Sequence, residues 1–101
     1  MLSQKQFLRE VDETIEVYEK CIGSFAVRTR QMIEREGYIK ALSKLVCSSE
    51  LQKGFKILRD CGKLEYSFEA LTVKYSHFFS KGVVEAAKWR LDNRDILLDS
   101  N

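Results

Sequence analysis

A chain of 101 residues that is 45% apolar and 32% charged fits one globular domain and excludes a disordered segment. Its net charge of +2 gives no electrostatic footprint of a dedicated nucleic-acid binder, and no apolar run approaches the roughly 20 residues that span a bilayer. Proline is absent, so no residue lacks a backbone N–H and none forces a helix to kink.

Ser3 and Gln6 have the S-x-x-Q spacing that opens a helix. Apolar residues then recur at Leu8, Val11, Ile15, Tyr18, Ile22 and Phe25, a 3–4 alternation that faces one partner surface. The spacing predicts one long helix over residues 1–36, with Gly23-Ser24 as a tolerated interruption. Asp12, Glu16 and Glu19 form an acidic ridge on it. That ridge suits either a basic partner or the chain's own basic middle, since residues 28–63 hold nine Lys and Arg against four Asp and Glu. The apolar stripe also permits a homodimer through this helix.

Gly37 supplies a left-handed cap, and a short helix follows with Tyr38, Ile39, Leu42, Leu45 and Val46 on its apolar face. Ser49 and Gln52 repeat the capping spacing before a helix carrying Leu51, Phe55 and Leu58, which Gly62 closes. Ser67 opens a helix with Phe68, Leu71 and Tyr75. Ser80 opens the last, with Val83, Val84, Ala87 and Leu91 on one side. Residues 95–101 read as a tail in which Ile96, Leu97 and Leu98 are able to dock. The expected fold is therefore all-α: one domain, a long N-terminal helix packed on an irregular bundle of about four shorter helices over residues 37–94. Its expected core is Val11, Ile15, Tyr18, Ile22, Phe25, Leu42, Leu45, Phe55, Leu58, Phe68, Leu71, Val84, Ala87 and Leu91.

The run Gly37-Tyr38, Ala41, Leu45, Gly54-Phe55, Leu58, Gly62, Leu64, Ser67, Glu69-Ala70-Leu71, Phe79, Ala87 and Arg90-Leu91 resembles a small helical module of hypothetical bacterial and phage proteins, some of them near restriction or defence genes. It covers about half the chain. The resemblance implies a helical fold and a regulator or inhibitor of phage or mobile-element origin, and it carries no site residues.

Catalytic patterns are scarce. One histidine, His77, and the scattered Cys21, Cys47 and Cys61 fall short of a zinc ligand set, so no metal and no cofactor is expected. No phosphate-cradling glycine motif occurs. An odd cysteine count with no secretory leader reads as a reduced, cytoplasmic protein. Cys47, just before an expected helix start, and His77 are the only pair suited to thiol catalysis, and a packed free thiol is the ordinary reading of Cys47. Trp89 falls off the last helix's apolar stripe. Exposed between Lys88 and Arg90, it would anchor a contact; its ordinary role is to flank the core. The sequence thus favours a non-catalytic intracellular binding protein that acts by protein contact through Trp89, Lys88, Arg90, Asp12, Glu16 and Glu19. The rival is a small DNA-binding regulator. It would use a helix-turn-helix-like pair over 38–60, with Ser49, Gln52, Lys53 and Lys56, and Arg28 and Arg35 alongside.

Overall fold

Ser3 opens the first helix as its spacing predicts: its hydroxyl oxygen accepts the Gln6 N–H at 3.1 Å. The capping box is only half made, because the Gln6 side chain donates to Glu10 at 3.3 Å instead of returning to Ser3. In this computed structural model, residues 3–47 and 51–93 are described, with side chains from residue 55 onward in the second stretch. All regular elements among them are helical: α1 (Gln4–Ile22), α2 (Val27–Glu36), α3 (Tyr38–Cys47), α4 (Leu51–Asp60), α5 (Phe68–Lys74) and α6 (Lys81–Asp92). Single 3-10 turns at Leu64–Tyr66 and Ser76–Phe78 link the later helices. The expected tail, 95–101, lies outside the described residues.

The expected helix over 1–36 is in fact two. Gly23 takes a left-handed conformation (φ 72°, ψ 21°) and donates its N–H to the Glu19 carbonyl at 2.8 Å, a cap that ends α1. The chain turns through Ser24 and Phe25 and restarts at Val27. Phe25, expected in the core, is 79% exposed as a result. The stripe read over the break had assumed a helical phase that no longer holds.

The core is built on the other half of α1. Phe7, Val11 and Ile15 are buried on one face and meet Ala26, Leu42, Leu71 and Tyr75. Phe7 is the centre of an aromatic group, with ring centroids 5.1 Å from Tyr75, 5.3 Å from Phe78 and 5.8 Å from Phe79. Edge-to-face pairs of this kind contribute about 0.5–1.5 kcal/mol each beyond their area burial. Tyr75 donates its hydroxyl to the Glu10 carboxylate, and Lys74 reaches the other Glu10 oxygen at 2.6 Å. Burial, then Glu10, push the Tyr75 hydroxyl up to about 12. Glu10 thereby fastens α1 to α5. Leu42, Leu45, Phe55, Leu58, Leu71, Val84 and Ala87 are buried as expected, while Tyr18, Ile22, Phe68 and Leu91 are half-buried.

Gly62, Ser67 and Ser80 act as expected, while the Ser49–Gln52 cap lies outside the described residues. Gly62 closes α4: its N–H donates to Arg59 at 3.0 Å and that of Lys63 to Leu58 at 2.8 Å, the paired bonds of a Schellman cap. Ser67 and Ser80 accept from Ala70 and Val83 at 3.1 and 3.4 Å and cap α5 and α6. Gly37 alone separates α2 from α3, and instead of the expected left-handed helical cap it takes φ 88° with an extended ψ of 163°, which lets α3 start at once. That combination is essentially confined to glycine.

A Cβ at Gly37 or at the helical Gly82 would meet nothing within 4 Å, so backbone conformation alone decides the effect of alanine at each. Gly37→Ala is expected to lower stability by about 1–3 kcal/mol. Gly82→Ala is expected to raise it by about 0.5 kcal/mol. Urea midpoints at an unchanged slope check both.

Candidate protein-binding groove

The break after α1 is held in shape by one carboxylate. Glu19, on the last turn of α1, accepts the Ala26 N–H at 2.7 Å and takes Arg30 of α2 in a two-pronged grip, Nε at 2.8 Å and Nη2 at 2.7 Å. Arg30 first, then the Ala26 N–H, hold its carboxyl down from the ordinary 4.5 to about 2, against the opposing effect of burial. The elbow so fixed leaves Phe25 79% and Val27 54% exposed.

Inside the elbow runs a groove of about 500 Å³. One wall is the inward side of α1, from Thr14 to Ile22, and the other is the elbow itself with Met32 of α2. Leu45, Phe55, Leu58 and Phe68 supply its apolar floor together with Glu69. Glu69 is 1% exposed and lies at the start of α5, where the helix dipole favours an acid. Arg90 of α6, 8% exposed, donates to it at 2.9 Å. Burial pushes the Glu69 carboxyl above the usual carboxylate range, and Arg90 pulls it back only in part.

Two residues expected to face a partner are thus taken within the chain. Arg90 points inward to Glu69; it sits three positions after Ala87, on the buried face. Glu19 meets the chain's own basic middle. Of the rest of the ridge, Glu16 is exposed and Asp12 accepts the Tyr38 hydroxyl at 3.2 Å. Trp89 is 54% exposed with Lys88 exposed beside it, so the helical phase that took it off the stripe is correct and its role as a core flank is not. Val11 and Ile15 of the stripe are buried within the chain, which leaves Phe25 as its exposed member.

The helices expected to form the DNA-reading pair, α3 and α4, begin and end within two residues of their expected bounds. Ser49 lies outside the described residues, as do the side chains of Gln52 and Lys53. Lys56, Arg28 and Arg35 are exposed. Cys47 is the last residue of α3 and is exposed, not the packed thiol expected, and His77 lies in the turn between α5 and α6 with its ring 4.1 Å from Phe78. No hydrogen bond joins this cysteine and histidine among the described residues. The Cys21 thiol abuts that of Cys61. That neighbour, then burial, raise it above the usual thiol range. No group of three or more potential metal ligands gathers among the described residues. No described helix is long and apolar enough to cross a membrane. Compared with known proteins, the chain matches no family model, no curated protein and no solved structure.

A lowered folded-state pKa makes the Glu19 contribution present above pH 4.5 and lost as pH falls towards about 2. Glu19→Gln is expected to cost about 1 kcal/mol at pH 7, a modest figure because Arg30 is 44% exposed. The wild-type and variant urea midpoints, measured from pH 7 to pH 2, should converge at the acid end.

Proposed function

We propose that this chain is a non-catalytic binding protein and that its partner is another protein, seated on the elbow and over the mouth of the groove. The observation that carries this reading is the exposure of Phe25 and Val27 at the rim of an apolar groove of about 500 Å³. An exposed aromatic next to a concave apolar surface is the usual form of an interface anchor. Arg28 and Arg35 on α2 and Glu16 on α1 are exposed polar residues of both signs on the flanking helices, which suits a protein's mixed rim better than a polyanion. A small regulator, adaptor or inhibitor acts in this way, by occupying its partner's surface. Three cysteines, an odd number, fit a reducing, cytoplasmic setting.

Phe25→Asp tests the reading, since a side chain this exposed is replaced at little cost to folding. Immobilised wild type and Trp89→Ala are expected to retain a common protein from an extract of the source cells. Phe25→Asp should bind that protein at least about 30-fold more weakly, as an anchor worth about 2 kcal/mol demands. Retention by Phe25→Asp with loss by Trp89→Ala would move the interface to α6. Recovery of nucleic acid that is released between 50 and 200 mM salt would overturn the reading in favour of the DNA-binding alternative. Light scattering that shows a dimer abolished by Phe25→Asp would make the partner a second copy of the chain.

A further inference from the structure

The inner part of the groove carries a polar feature that a protein anchor at its rim does not require. Thr14 is only 3% exposed and sits in the middle of α1. A mid-helix threonine commonly donates its hydroxyl to the carbonyl four residues back, as Thr72 does to Phe68 at 2.8 Å. The Thr14 hydroxyl makes no hydrogen bond among the described residues. No side-chain oxygen there is both sealed from the surface and unpartnered. The hydroxyl therefore opens on the groove that Thr14 lines.

Glu69 lines the same space, its carboxylate engaged by Arg90 and by its own backbone N–H. The inner wall is apolar, formed by Ile15, Tyr18, Leu45, Phe55, Leu58 and Phe68, while Arg28 and Thr29 line the groove from α2. A volume of about 500 Å³ falls within the range of small-molecule sites, which combine an apolar body with a few placed polar groups.

We infer that the inner groove binds a small uncharged molecule with an apolar body and one hydroxyl, of the long-chain alcohol class. A hydroxyl both donates and accepts, so one group satisfies the Thr14 hydroxyl in either direction. A carboxylate ligand beside Thr14 would meet Glu69 as a like charge in an apolar space, and the cation that lines the groove, Arg28, is exposed on α2 at the elbow. A cation would add a surplus charge to an acid that Arg90 already balances. The hydrocarbon chain takes the rest of the groove and removes apolar surface from water.

The probe is 1-decanol, set against decane and decanoate, each displacing Nile red from the full chain at pH 7. Decanol is expected to displace the dye saturably and about tenfold more tightly than either comparison compound. Thr14→Val keeps the shape and removes the hydroxyl; it should weaken decanol about tenfold and leave decane unchanged. Decanol no tighter than decane on the wild type would overturn the assignment without recourse to any variant. Equal decanol binding by Thr14→Val would overturn it as well, as would the absence of saturable displacement. The assay contains no partner protein, so its failure and that of the protein-binding reading are separately visible.

Discussion

The Glu19 carboxylate is the constraint from which the groove follows. Gly23 ends α1, but a glycine cap alone sets no direction for the next helix. Glu19 sets it by holding the Ala26 N–H and the Arg30 guanidinium at once. A bidentate grip between a planar cation and a carboxylate fixes angle as well as distance. With α2 folded back in this way, Ala26 joins the buried cluster while its neighbour Phe25 faces outward. A straight continuation of α1 would have left no concave wall.

α1 consequently serves two surfaces. Phe7 and Val11 anchor the core towards α3 and α5, and Tyr18 and Ile22 line the groove one to two turns later. Ile15 belongs to both. The Glu69–Arg90 pair closes the floor from the α6 side. Buried pairs of this type add little net stability, because desolvation cancels much of the attraction, yet loss of one partner is costly. Its titration runs opposite to that of Glu19. A carboxyl raised in the folded state binds its proton more tightly there, so it favours folding less as pH rises through that range. The two acids pull the acid stability profile in opposite directions, and Glu19 has the paired, hydrogen-bonded geometry that resists protonation.

Much of the architecture was legible because helix ends are local. Ser3, Ser67, Ser80, Gly37 and Gly62 each announce a boundary within four residues, and each lies at one. The core was legible wherever an apolar face was unambiguous, as at Leu42, Phe55, Leu71 and Ala87. At the start of α1 the adjacent Phe7 and Leu8 offered two phases about 100° apart, and the stripe was read from Leu8 although Phe7 is the buried one. The groove was hidden because it depends on contacts between distant residues. Arg90 and Glu69 are 21 positions apart, and Glu19 and Arg30 are 11 apart. Nothing in the sequence marks Glu69 and Arg90 as internal. The acidic ridge did contain the right clue, in that a basic segment of the same chain was available to Glu19.

α2 contributes no buried side chain of its own and is bounded by Gly23 and Gly37, both at positive φ. A segment that touches the core only through half-buried Ile33 and is held to α1 by the Glu19–Arg30 grip has the least to lose on lifting away while the Phe7–Tyr75 centre stays closed. Protection against amide hydrogen exchange should therefore divide the molecule unevenly. The α2 amides open through a local, low-energy excursion, and those of α1 and α5 exchange only with far larger disruption.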